Sequence, residues 1–120
     1  MPEENGFKVF VVEDEALVAM MIEDILLDLG CTVVASAVRL HQAQDIAETI
    51  EVDFAVLDVN LAGQTVFPVA EILERRGIPF LFSTGYGARG LPPALADRPV
   101  LNKPYSSSQL QQAIALILPG

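Results

Sequence analysis

Four apolar, strand-like runs in this chain each end on a side chain able to do chemistry. Glu13 and Asp14 follow FKVFVV, Asp58 follows DFAVL, Thr84 follows IPFLFS, and Lys103 follows RPVLN. In an open parallel sheet such strand ends meet along one edge, and ligands bind there at the point where the strand order reverses. Three carboxylates gathered in that place would raise one another's pKa unless a cation neutralised them. A hard divalent ion such as Mg²⁺, which takes oxygen ligands and keeps several waters, suits that donor set. A lone Asp after a strand is ordinarily a helix cap or a turn residue. The coincidence of Asp14 with Asp58 and Lys103 is what points to a site.

The elements that must position these residues alternate short apolar runs with longer stretches of helical period, which predicts a βα repeat and a parallel sheet. Five such units fit. The first strand, about residues 7–13, is nearly all apolar, as expected where helices cover both faces. The first helix, about 16–29, starts behind acids favourable at a helix N-terminus and stops at Gly30. Strand two is placed at about 32–36. Helix two carries Leu40, Ala43, Ile46, Ala47 and Ile50 as one buried stripe. Strand three runs over 53–58 and is followed by a loop, VNLAGQT, in which Gly63 supplies a turn. Helix three opens at Pro68 and ends at Gly77, with Glu71 and Arg75 as an i,i+4 pair. Strand four covers 78–84. Between 85 and 99, Gly85, Gly87, Gly90, Pro92 and Pro93 leave room only for a short or mobile fourth helix. Strand five covers 100–102, and helix five runs to about Leu118 from a capping-box pattern at Ser106 and Gln109.

The 120 residues make one domain, 1–120, long enough to bury a core. With 52% hydrophobic residues, 19% charged residues and a formal charge of -9, the chain is globular, and its seven basic residues are scattered. Direct nucleic-acid binding and attachment to an anionic membrane are therefore not expected. The acidic start lacks the positive charge of a secretory signal, and no apolar run reaches membrane-spanning length, so a cytoplasmic location is expected. The single cysteine, Cys31, reads as a packed small hydrophobe in a reducing compartment. His41 reads as a solvated surface residue, and Met20 and Met21 as core filler.

VVEDE (11–15), LDVNLAG (57–63), FSTGYG (82–87) and NKPY (102–105), in that order and each at a strand end, make the whole chain resemble the receiver domain of two-component response regulators. The resemblance implies an α/β fold with a five-stranded parallel sheet in the order 2-1-3-4-5 and helices on both faces. It implies that Asp58 is the phosphoacceptor, that Glu13 and Asp14 form the acidic metal-binding pair, and that the backbone carbonyl of Asn60 completes the protein's Mg²⁺ ligands. By the same likeness Thr84 and Lys103 contact the phosphoryl group, and the Lys103–Pro104 bond is cis. The chemistry agrees. A carboxylate can form an aspartyl phosphate, and phosphoryl transfer needs mainly in-line positioning and neutralised oxygens.

Two positions depart from the common receiver pattern. Val100 stands where most receivers carry an aromatic switch residue, and Ala62 stands where they commonly carry proline. PFLFSTGYG, with Pro99 and KPY following, is instead similar to the "FAT GUY" subgroup, in which the region after strand four is the mobile element. Phosphorylation is then expected to order the segment 85–99.

Unless the chain is a fragment of a longer product, output through a protein contact is expected. The first turns of helix one, 16–22, are apolar all round, more than one core face needs, which suits contact with a kinase or a second copy. The expected activity is that of a phosphoacceptor signalling domain, monomeric or weakly dimeric, rather than an enzyme. It takes phosphate from a histidine kinase or histidine phosphotransfer protein and assists its own phosphorylation and dephosphorylation. Three rivals stand beside this reading. An aspartyl-nucleophile phosphatase would want an acid/base near Asp58, where Asn60 stands. A flavodoxin-like cofactor binder would want a phosphate-cradling loop where EDEA places acids. A non-phosphorylated pseudo-receiver scaffold would not need the intact constellation.

Overall fold

Strands that are apolar at every position must sit in a sheet covered on both sides, and the computed structural model has that form. It describes residues 6–85, 91, 95, 97–103 and 105–118. Along these the chain forms β1 (Lys8–Val12), α1 (Ala16–Asp28), β2 (Thr32–Ala37), α2 (Leu40–Ala47), β3 (Phe54–Asp58), β4 (Asn60–Leu61), β5 (Gln64–Thr65), α3 (Phe67–Arg76), β6 (Phe80–Thr84), β7 (Val100–Asn102) and α4 (Ser107–Ile117). The main sheet is parallel throughout, in the order β2-β1-β3-β6-β7. In sequence order of its strands this is the expected 2-1-3-4-5. The order reverses between β1 and β3, so the ends of those two strands flank the switch point.

Side chains alternate across the sheet and divide the interior in two. On one face Phe10, Val12, Ala55, Leu57, Phe80 and Phe82 pack with Ala43 and Ala47 of α2 and with Val69, Ala70 and Leu73 of α3. On the other, Val9, Val11, Phe54, Val56 and Leu81 pack with Ile22 and Leu26 of α1 and with Leu110, Ala113 and Ile114 of α4. Truncating a central member such as Leu57 removes contacts on every side, a change that costs about 2–5 kcal/mol. Cys31 is buried as a free thiol in the second face. His41 is exposed beside Asp45.

Local signals explain where the helices start and stop. In α4 the Ser106 hydroxyl accepts from the Gln109 N–H at 3.1 Å, while the Gln109 side chain accepts from the Ser106 N–H at 2.8 Å. Pro68 sits in the first turn of α3, and Gly77 ends that helix at φ 73°. Arg76, in the last turn of α3, donates to the carbonyls of Ala47 and Ile50 at 2.8 and 2.7 Å, tying it to the end of α2.

Several expectations need correcting. Arg75 pairs with Glu48 at 3.0 Å and not with Glu71, because α2 lies within reach of that side of α3. Met20 and Met21 are 58% and 52% exposed beside Leu17 at 77%, because α1 presents Ile22 and Leu26 to the sheet. No acid lies in the first turn of α1 and its N-cap Glu15 makes no side-chain cap. The Glu13 carboxylate accepts from the Glu15 N–H instead. The loop after Asp58 is a hairpin of β4 and β5. Most of the expected short or mobile fourth helix, and the Lys103–Pro104 bond expected to be cis, lie outside the described residues. Among the described residues no helix is long and apolar enough to cross a membrane.

Candidate functional site

The chain leaves β1 at Val12 and β3 at Asp58, and these neighbouring strands deliver their terminal acids to one place. Glu13, Asp14 and Asp58 can each present a carboxylate oxygen within 4.8 Å of the other two. The β6–β7 pairing continues past its last rungs, the Lys103 N–H donating to the Thr84 carbonyl at 2.8 Å. That bond carries Lys103 to the same edge. Its Nζ donates to Glu13 Oε1 at 2.7 Å and lies 3.5 Å from Asp58 Oδ1. A cleft of about 340 Å³ opens above, bounded by Asp14, Asp58, Asn60, Thr84 and Lys103 among others. All six residues singled out in the sequence therefore fall at one end of the sheet. Glu13, Asp58 and Thr84 are buried there, and Asn60 is exposed.

Charge in this cluster is unbalanced. Burial, and then the charge of Glu13, push the Asp58 carboxyl up to about 7, with Lys103 opposing the rise. Burial also pushes Asp14 up, but hydrogen bonds from the Asp58 side chain and the Ala62 N–H outweigh it and hold Asp14 below the usual value. Burial pulls the Lys103 ammonium down, and its hydrogen bond to Glu13 and the Asp58 charge more than reverse that. One ammonium thus faces three carboxylates, one of which keeps its proton near neutrality. An all-oxygen donor set with this excess of negative charge fits a hard divalent cation.

The hairpin completes the rim. Asn60 pairs with Thr65 and Leu61 with Gln64, leaving Ala62 and Gly63 as the turn, at φ 51° and 89°. Positive φ at both central residues is the type I′ pattern, whose twist suits a two-residue hairpin. Proline, with φ near -65°, cannot occupy position 62 in this turn. The Ala62 N–H donates to Asp14 Oδ2 at 2.9 Å, and the Gly63 N–H to Asn60 Oδ1 at 2.8 Å. The sequence reading missed this contact because the donor is main chain. The one available signal was Gly63 between the apolar Leu61 and Val66.

Tyr105 lies two residues beyond Lys103. Its hydroxyl accepts from Ser83 Oγ at 3.4 Å, and burial raises its pKa. With Val18, Met21, Ile22 and Ile25 of α1 it lines an apolar groove of about 260 Å³ that reaches Lys103 and Glu15.

A doubly covered parallel sheet in this strand order, with acids at the switch point and a lysine on the last strand, defines the flavodoxin-like receiver fold. The family model of the response regulator receiver domain matches residues 9–115, and the chain belongs to that family. Its structure is similar to the solution structure of SdrG from Sphingomonas melonis Fr1, at 40% identity and a TM-score of 0.83, covering 92% of this chain and 94% of that one. It is also similar to the response regulator PhyR from Brucella abortus, at 29% identity and a TM-score of 0.77, covering 94% of this chain and 48% of that one. Both likenesses are consistent with the FAT GUY resemblance. Among curated proteins it is 31% identical to the transcriptional regulatory protein PdtaR of Mycobacterium tuberculosis, over 91% of this chain and 55% of that protein. The chain thus spans about half the length of that relative. Receiver domains bind Mg²⁺ in their active site, and Glu13, Asp14 and Asp58 are the acidic cluster of this one.

Proposed function

We propose that this chain is a phosphoacceptor in two-component signal transduction, taking a phosphoryl group from the phosphohistidine of a histidine kinase or histidine phosphotransfer protein onto Asp58. The observation that carries the reading is the placement of Asp58, buried at the switch point with Lys103 Nζ 3.5 Å away and two further acids beside it. An Asp58 oxygen attacks phosphorus, a P–O bond forms, the P–N bond breaks, and the imidazole leaves with the electron pair. Glu13, Asp14, Asp58 and the backbone carbonyl of Asn60 would hold Mg²⁺. Bound there, the cation supplies charge that neutralises the phosphoryl oxygens and favours the ionised carboxylates.

Lys103, held over the cleft by Glu13, provides the second positive charge, and the Thr84 hydroxyl donates to a phosphoryl oxygen. The domain is not an enzyme acting on a separate substrate; the same groups assist gain and loss of its own phosphoryl group. Asn60 argues against a phosphatase, since its side chain offers no acid or base and already accepts from Gly63. The signal passes on through a protein contact made by the phosphorylated form.

Intact mass after incubation with a small phosphodonor tests this, with and without Mg²⁺, on the wild type and on Asp58→Asn. One Mg²⁺-dependent adduct, absent from the variant, is expected. No adduct, where another receiver is labelled in parallel, would sink the proposal in favour of a fixed scaffold.

A further inference from the structure

The acids of the cleft are held by donors from the chain itself. Glu13 is engaged at both oxygens, Oε1 by Lys103 at 2.7 Å and Oε2 by the Glu15 N–H at 3.1 Å. Asp58 Oδ1 receives the Asn60 N–H at 3.4 Å. Asp14 is the least buried of the three, and its Oδ2 is held at 2.9 Å by Ala62, 48 positions along the chain. The position of that N–H does not depend on Asp14. Leu61 and Val66 are both buried, the Val66 N–H donates to the Val59 carbonyl at 2.9 Å, and the Asn60 side chain holds Gly63. The turn between them is fixed at two positive φ values.

We propose that the β4–β5 turn is a latch in which the Ala62 N–H fixes the Asp14 carboxylate to meet a cation through one oxygen, favouring Mg²⁺ over Ca²⁺. The inference rests on the Mg²⁺ reading of the acidic cluster given above. Mg²⁺ demands a compact octahedron, keeps several waters and takes carboxylates one oxygen at a time. Ca²⁺ gathers six to eight oxygens at longer distance and often takes carboxylates by both. A carboxylate that accepts a charge-assisted hydrogen bond on one oxygen must weaken that bond to turn both oxygens onto an ion. Glu13, engaged at both oxygens, is restrained in the same direction. Ala62 is therefore a positioning residue that acts through its main chain, and its methyl group is incidental.

The test is the equilibrium affinity of the full chain for Mg²⁺ alone and for Ca²⁺ alone by titration calorimetry, on the wild type, Ala62→Pro, Ala62→Gly and Asn60→Ala. Ala62→Pro removes the donor together with the positive φ that places it, whereas Ala62→Gly keeps both. Loss of a group that orients a metal ligand typically weakens binding about 10- to 100-fold. Ala62→Pro is thus expected to lose about tenfold in Mg²⁺ affinity and less in Ca²⁺ affinity, while Ala62→Gly keeps the wild-type ratio. Asn60→Ala, which frees Gly63 but leaves the Ala62 N–H and the carbonyl of residue 60, should shift the ratio in the same direction by a smaller factor. It carries the test if thermal melting finds Ala62→Pro unfolded. An unchanged Mg²⁺-to-Ca²⁺ ratio in the folded variants overturns the latch. A wild type that takes up no Mg²⁺ overturns the metal reading itself, and the two failures are distinct.

Discussion

Lys103 Nζ lies 2.7 Å from Glu13 and 3.5 Å from Asp58, so the resting lysine is held by the acid beyond β1 more closely than by the acid ending β3. The Glu13 side chain is fully buried. Breaking such a pair from one side leaves an uncompensated buried charge, at a cost of about 3–5 kcal/mol. Lys103→Met should therefore cost about 3 kcal/mol of stability at neutral pH, read as a lower urea midpoint. A midpoint equal to that of the wild type would mean that solvent in the cleft already screens Glu13.

Asp58 has the opposite effect on stability. Its pKa in the fold is raised from the ordinary 3.8 to about 7. Between those values the folded chain binds a proton that the unfolded chain has released, so this group's contribution falls as pH rises through the window and then levels off. In metal-free buffer, Asp58→Asn and the wild type should melt together only below about pH 3.8, where the carboxyl is protonated folded and unfolded. By pH 8 the variant should melt several degrees higher, each kcal/mol being worth roughly 4 °C in a domain of this size. Mg²⁺ should narrow the gap by stabilising the wild type, which has the full ligand set, more than the variant. A gap that does not change with pH would refute the raised pKa.

The two arginines that end α3 should behave differently despite being adjacent. Arg76 donates to two carbonyls at the end of α2, whereas Arg75 makes an exposed ion pair with Glu48. Hydrogen bonds to charged groups contribute about 1.5–3 kcal/mol each, and surface pairs about 0–1 kcal/mol. Arg76→Ala is expected to cost roughly 2–3 kcal/mol, and Arg75→Ala under about 1 kcal/mol. Neither should alter phosphoryl labelling by a small donor. Equal losses in denaturation would contradict the assignment.

The exposed face of α1 offers a separate test of the proposed partner. Leu17, Met20 and Met21 are exposed on α1, and Met21 lines the apolar groove that reaches Lys103. Replacing all three with Gln should leave stability within about 0.5 kcal/mol per site and labelling by a small phosphodonor intact. Transfer from a cognate phosphohistidine protein should slow at least tenfold, in the manner of lost interface anchors. Transfer at the wild-type rate would place the docking surface elsewhere.

Much of this site was legible because its residues sit where strands end, and uninterrupted apolar runs such as FAVL show where strands end. The capping box at Ser106 and Gln109 was equally plain, since both partners lie within one turn. Other features carry no such signal. Ala62 sits at φ 51°, a conformation that alanine rarely adopts, and two-residue strands are too short for periodicity to mark. A stretch as apolar as 16–22 does not say which side faces the sheet, so Met20 and Met21 were misplaced. Arg75 chose a partner just past the end of α2, a choice set by packing that no i,i+4 rule contains.

The hairpin has a consequence for how this chain can vary. Leu61 and Val66 enter the core on either side of a two-residue turn. Side chains point to alternate faces along a strand, so one added residue would turn one of the two anchors out to solvent. The stretch from Asp58 to Val66 therefore acts as a ruler. It can accept new side chains at Gln64 and Thr65, but its length is set by the distance from Asp58 to the next buried valine.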